Sequence, residues 1–205
     1  MKYQIDINDF IYKKISFAIK NIEEVYFTLD LANLEDENIS IYRERAYCYE
    51  LYHQLRSLFS NDYPFIITGE PDKRGHPVLK SSKNPDFIIH SPGNMNNNFI
   101  LIEVKTAENV KKTINSKDNG VNKDIETFKD FLKKFNYEGG IYLIYGEHEE
   151  NYDKHIKEIK KRIKVMLTRE KINKKIYLII HKKPLEHPKI IELTQHKTKK
   201  LWLGK

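Results

Sequence analysis

Asn84-Pro85-Asp86-Phe87-Ile88-Ile89-His90 and, a few residues on, Phe99-Ile100-Leu101-Ile102-Glu103-Val104-Lys105 are the two stretches whose reading decides the fold. Phe87 to Ile89 is a β-type run, closed by Pro92-Gly93 and the stretch Asn94 to Asn98, where Gly and Asn tolerate turn geometry. Phe99 to Val104 is apolar on both faces, which predicts a central, buried strand. Side chains two apart on a strand share a face. Glu103 and Lys105 therefore point together while Val104 points away. A hairpin sets the start of the first run beside the end of the second, so Asp86 is expected to face Glu103.

Outward from this pair, Phe65 to Thr68 reads as a strand, followed by a polar loop from Gly69 to Lys83. Before it, a helix is expected from about Ser40 to Phe59, with Cys48, Leu51, Tyr52, Leu55, Leu58 and Phe59 as its apolar stripe. Asn33 to Asn38 reads as a loop. A first helix, 8–27, carries Ile11, Ile15, Ala18, Ile19, Ile22, Val25 and Tyr26 at helical spacing, with Asn8 or Asp9 as N-cap.

Downstream, Thr106 to Lys123 reads as a long polar loop. Ile125, Phe128, Leu132 and Phe135 mark a helix that Gly139-Gly140 is expected to stop. Ile141 to Tyr145 is a strand, Ile156 to Met166 a helix, Ile176 to Ile180 a strand, and Ile190-Ile191 a candidate sixth. The order α-α-β-β-β-α-β-α-β predicts an α/β fold: a central mixed β-sheet flanked by helices, with an extra N-terminal helix. One domain is expected over 1–205, with an N-terminal helical extension (1–39), a core (40–146) and a basic C-terminal α/β part (147–205).

The chain has 205 residues, 40% hydrophobic and 32% charged, which excludes a disordered or membrane-embedded class. Its apolar runs, Phe99 to Ile102 among them, are too short to span a bilayer. Met1 to Asp9 contain no signal-peptide core, so the expected location is cytoplasmic. The single cysteine, Cys48, excludes an internal disulfide and a cysteine-based zinc site. The net charge of +7 is uneven: residues 151–205 hold 17 Lys/Arg against 5 Asp/Glu, while residues 1–150 hold 19 against 24. A basic terminal third on a weakly acidic body fits a polyanionic partner, nucleic acid first, or a Lys-rich solvated surface.

Two carboxylates and an ammonium gathered at one end of an apolar sheet need a reason. Carboxylates a few Å apart repel, and one would protonate unless a cation intervened. Mg²⁺ takes hard oxygen ligands and keeps several waters. Asp86, Glu103 and the Val104 carbonyl could supply three oxygens, leaving room for water and a substrate phosphate. Lys105 would orient the attacking water or neutralise the phosphate. The alternative is that these are solvent-facing charges terminating two strands.

On the helical wheel Glu44 falls within the stripe of Cys48, Leu51 and Leu55. A carboxylate there is costly unless paired or metal-bound, which makes Glu44 a further candidate metal-site acid. Otherwise it is a helix-start residue near the dipole, paired with Arg43 or Arg45. Glu50 lies off the stripe and reads as a surface residue, the second choice. Glu70, Asp72, Lys73, Arg74 and His76 crowd one loop, as phosphate contacts or as a solvated turn. His90 shares a face with Asp86 and reads as structural. Lys111, Lys112 and Lys117 lie where they could grip a backbone.

Pro85-Asp86, sixteen residues, then Glu103-Val104-Lys105 resembles the motif of the PD-(D/E)XK nuclease superfamily, the restriction-endonuclease-like fold. The resemblance covers about residues 40–146, with the helix bearing Glu44 upstream and the helix and strand at 122–145 downstream. It implies Mg²⁺ or Mn²⁺ dependence and phosphodiester hydrolysis, usually of DNA, in a defence or mobile-element setting. It implies Asp86 and Glu103 as metal ligands, Lys105 as the catalytic lysine and Glu44 as the helix-borne acid. The helix at 122–135 lacks the Gln-x-x-x-Tyr pattern of the RecB-like branch, so that branch is not implied. Two other classes remain: a catalytically silent nucleic-acid-binding module on the same fold, and a protein-interaction subunit whose basic third meets an acidic partner. The apolar stripe of helix 8–27 must be covered, and a homodimer is one way to cover it.

Overall fold

The computed structural model describes residues 5–31, 39–69, 84–93, 98–117, 120–148 and 150–194. The N-terminal part is not one helix but a broken series: α1 (Ile7–Asp9), a π-helical turn (Phe10–Ile15), α2 (Ser16–Lys20) and, after a turn at Asn21, α3 (Glu24–Phe27). Part of its stripe is covered within the chain. Ile11, Ile15, Ala18, Ile19 and Ile22 are buried, while Tyr12, Phe17, Val25 and Tyr26 face out.

A small hairpin, β1 (Leu29–Leu31) and β2 (Ile39–Ile41), comes next. Ile39-Ser40-Ile41 alternates with period two and is extended, so α4 (Glu44–Ser57) starts four residues later than the helical pattern predicts. The buried stripe of α4 is also rotated from the predicted one, running through Tyr47, Glu50, Leu51 and Leu55. Cys48 is half-buried and Tyr52 stands at the surface.

One six-stranded sheet forms the centre, in spatial order β3 (Ile66–Gly69), β4 (Phe87–His90), β5 (Asn98–Thr106), β6 (Gly139–Tyr145), β7 (Lys175–His181) and β8 (Lys189–Leu193). β4 pairs antiparallel with β3 and β5; β5, β6 and β7 run parallel; β8 closes antiparallel on β7. The fold is thus α/β with a mixed sheet between helical layers. β5 is interior, as its two apolar faces require, and every described side chain from Phe99 to Thr106 on it is buried. Each of its buried Ile and Leu side chains contributes about 1.5–3 kcal/mol of transfer free energy.

Period-two alternation sends the strand side chains to two cores. Ile100, Ile102 and Val104 pack with Ile141, Leu143, the N-terminal helices and α4. Leu101, Tyr142, Ile144 and Leu178 pack with α5 (Ala107–Thr113), α6 (Val121–Lys134) and α7 (Tyr152–Arg169). α5 replaces the first part of the expected loop 106–123. Thr106 caps it by accepting from Asn109 N–H, and Ala107 and Val110 anchor it. Gly139-Gly140 does not stop α6, which ends at Lys134; the pair opens β6. A Cβ on Gly140 would collide with the Phe128 ring, so the bare backbone lets α6 settle closely on the sheet. The loop bearing Glu70, Asp72, Lys73, Arg74 and His76, the turn residues 94–97, and the C-terminal residues 195–205 lie outside the described residues.

Candidate functional site

β4 and β5 register Phe87 opposite Ile102, so Asp86 comes level with Glu103 just before the start of β4. β5 runs on beyond its neighbour there and needs another partner for its backbone. The Asp86 side chain provides it: Oδ2 accepts from Val104 N–H at 2.7 Å. The Val104 carbonyl accepts from Lys105 Nζ at 2.9 Å.

Lys105 is the hub. Its Nζ lies 3.1 Å from Glu103 Oε1, 3.6 Å from Glu44 Oε1 and 3.9 Å from both Asp86 Oδ2 and Asp124 Oδ2. Glu103 and Lys105 share a face of β5, as period two requires. Glu44, the first residue of α4, reaches Lys105 at the C-terminal end of β5. Asp124 comes from the first turn of α6, on the helical layer packed over that face. It is 4% exposed and accepts from Tyr142 Oη at 2.9 Å.

Sequence reasoning missed Asp124, although a signal was there. Val121, Asp124, Ile125 and Phe128 form one apolar face interrupted by an acid, the same anomaly that singled out Glu44.

Burial is the largest influence on Glu103 and raises its pKa well above the usual carboxylate value. Lys105 opposes this, while Asp124 and Asp86 reinforce it. Burial likewise raises Glu44, against Lys105 and with Asp86 and Asp124. Burial alone would lower Lys105. Glu103, then Asp124, Asp86 and Glu44 outweigh it and hold the ammonium well above the usual lysine range. Lys105 is therefore a fixed cation at neutral pH.

Four carboxylates face that one ammonium, and the Oε2 atoms of Glu44 and Glu103 are buried without a hydrogen-bond partner. Hard oxygen donors in excess of local positive charge, two of them unsatisfied, fit a divalent cation. Among the described residues, no three Asp, Glu, His or Cys side chains already close around a common metal position. Lys105 Nζ stands among the carboxylates.

The other candidates lie apart. Glu50 is not a surface residue: it is 8% exposed, accepting from Gln54 Nε2 at 2.6 Å with His53 Nδ1 at 3.3 Å, all on α4. His90 spans Thr68 Oγ1 and the Ser91 carbonyl, a cross-strand tie. Lys111 pairs with Glu150 and Lys112 with Glu108.

Two depressions flank the cluster. One, of about 390 Å³, lies on the α6 side, with Asn84, Asn109 and Lys123 among its walls. The other, of about 650 Å³, lies between α4 and the outer strands, with Tyr49, Tyr52 and Phe87 among its walls. Asp86 lines both.

No protein-family model matches the chain, and no curated protein matches it. Among solved structures it is similar to SfsA of Pyrococcus furiosus, determined in complex with Ca²⁺. The likeness has 12% identity and a TM-score of 0.35, and covers 83% of this chain and 77% of that one. Among the described residues, no helix is long and apolar enough to cross a membrane.

Proposed function

We propose that the chain is a metal-dependent nuclease of the PD-(D/E)XK type, hydrolysing phosphodiester bonds of nucleic acid, DNA first. The observation that carries this reading is the meeting of Glu44, Asp86, Glu103 and Asp124 on one buried ammonium, with two carboxylate oxygens left unpartnered. Asp86, Glu103 and the Val104 carbonyl would hold Mg²⁺ or Mn²⁺, with Glu44 and Asp124 completing the acidic surround. Such an ion, when bound, lowers the pKa of a coordinated water and offsets charge on a phosphoryl group under attack.

The chain's own residues divide the remaining work. Hydrolysis joins a water oxygen to phosphorus and breaks the bond to the leaving sugar oxygen. Lys105, held protonated, donates hydrogen bonds to a non-bridging phosphate oxygen and does not serve as the base. Glu44, which burial raises and which is not among those three metal donors, suits acceptance of the water's proton. Asp124, fixed by Tyr142, holds Lys105 in place. A groove of about 450 Å³ between α6 and α7, with Lys117, Lys161 and Arg169 on its walls, suits the flanking phosphates.

The test is incubation with single- and double-stranded DNA and RNA in Mg²⁺ or Mn²⁺, with EDTA as control. Metal-stimulated cleavage is expected, with a loss of about a hundredfold or more in Asp86→Asn and Lys105→Arg, both checked for folding by near-UV circular dichroism. Undiminished cleavage by both variants rejects the site. Salt-sensitive binding without turnover by the native protein would favour the silent binding module.

A further inference from the structure

The depression between α4 and β3–β4 is ill suited to a phosphate path. Its surface is aromatic and aliphatic: Tyr49 and Tyr52 are 67% and 37% exposed, and Phe87 and Ile67 form the floor. The Tyr52 ring lies nearly parallel to that of Phe87, at 25° with centroids 6.4 Å apart, so Tyr52 is braced from behind and its outer face is open. Arg45 stands exposed on the rim. The hollow on the other side of the cluster is polar, walled by Asn84, Asn109, Thr113 and Lys123. The two meet at Asp86, and Glu44 also lines the aromatic one.

A phosphodiester held at Asp86 must send the nucleoside on one side of the scissile bond toward one hollow and its neighbour toward the other. Phosphate and sugar suit the polar side. A base face suits the tyrosines, because base–aromatic stacking is sequence-tolerant and strong. Inside a duplex both faces of a base are already covered by its neighbours, so an open tyrosine face accepts only a base that has left its stack.

We propose that the Tyr49–Tyr52 groove is a nucleobase-binding subsite and that the substrate is unpaired nucleic acid, a single strand or a frayed end. This rests on the nuclease reading for the position of the scissile phosphate. Stacking on the two rings, with Arg45 at the adjoining phosphate, selects strand state. The contacts described do not read the sugar, so single-stranded DNA and RNA share the base-binding chemistry.

The experiment uses the full chain with 2-aminopurine-labelled oligonucleotides: single-stranded DNA, single-stranded RNA and blunt duplex DNA. Fluorescence titrations are run in EDTA, where no cleavage intervenes, and cleavage is followed separately in Mg²⁺. Stacking quench on both single strands, at least tenfold tighter than on duplex, is expected, with single strands cut faster. Tyr49→Leu and Tyr52→Leu should each weaken single-strand binding roughly tenfold, and Tyr52→Phe should restore it, since the ring and not the hydroxyl does the stacking. Duplex bound and cut as well as single strand, with the leucine variants unchanged, overturns the subsite and leaves the nuclease reading intact. Ring-dependent quench without metal-stimulated cleavage supports the subsite and overturns the nuclease. Neither quench nor cleavage overturns both.

Discussion

β5 and β7 run parallel with one strand between them, and each buries a basic side chain at its C-terminal end, yet the two groups meet opposite fates. His181, last on β7, is fully buried among rings. Phe27 stands edge-on at 5.0 Å, and Tyr47 Oη lies 2.9 Å from Nδ1. Burial pushes its pKa down to about 4, with only a backbone hydrogen bond to Lys183 opposing, so the imidazole stays neutral. Lys105 on β5 is nearly as deep, but four carboxylates keep it charged. α4 serves both: Tyr47 closes the first pocket and Glu44, one turn earlier, enters the second. A buried base caged by aromatics is held neutral and calls for no counter-charge. A buried base facing an excess of acids leaves negative charge for something else to neutralise.

The sharpest way to break this contrast is to remove the ammonium. Lys105→Met should cost about 3–5 kcal/mol, since it strands buried charges of one sign. The pH dependence distinguishes this from a packing defect. The carboxyls of Glu44 and Glu103 already sit above their unfolded values, and losing Lys105 raises them further. A raised folded pKa contributes stability below the unfolded value that is lost as pH climbs through the folded one. The deficit of Lys105→Met against the native protein, measured by urea unfolding, should therefore narrow from pH 8 to pH 5, and narrow again on adding Mg²⁺ at pH 8. An equal deficit throughout would mean that the four acids are not linked through Lys105.

His181 should behave in the opposite sense. Its folded pKa of about 4 lies below the ordinary 6.5, so the unfolded chain binds the extra proton first. Its contribution is complete above about pH 6.5 and drains away as pH falls toward 4, about 3 kcal/mol in all. Urea unfolding of the native protein and His181→Gln between pH 4 and 7 isolates it: the acid-side loss should be smaller in the variant. Identical slopes would place a protonated imidazole among those rings.

The same contrast explains what could be read in advance. Asp86, Glu103 and Lys105 were legible because strand geometry has a period of two, and an antiparallel neighbour brings the start of one strand beside the end of the next. Their convergence follows from local rules. Glu44 needed an acid-on-an-apolar-stripe argument, which depends on where the helix begins, and the structure starts it at Glu44 itself. Asp124 was missed because the helix expected at 122–135 was read for Ile125, Phe128, Leu132 and Phe135, and the acid beside them on that face drew no notice. α5 was lost for a related reason: Ala107 and Val110 make too short a stripe to stand out among polar residues, and Thr106 shows itself as a cap only once the strand before it is placed. The His181 cage joins residues 27, 47, 145 and 181, and no local pattern announces so distant a meeting.

Glu50 gives the smallest and most pointed test. It is more deeply buried than Glu44, so burial alone would rank it as the functional acid. Its oxygens face Gln54 and His53 on the same helix, and neither is left unpartnered. Glu50→Gln keeps the shape and should cost about 1 kcal/mol for the weakened helix-borne hydrogen bonds, with cleavage unchanged. Glu44→Gln, which takes a charge away from Lys105, should depress metal-stimulated cleavage while shifting the melting temperature little. If instead Glu50→Gln is the variant that loses cleavage, unsatisfied charge is the wrong criterion for locating the site, and the case for Glu44 falls with it.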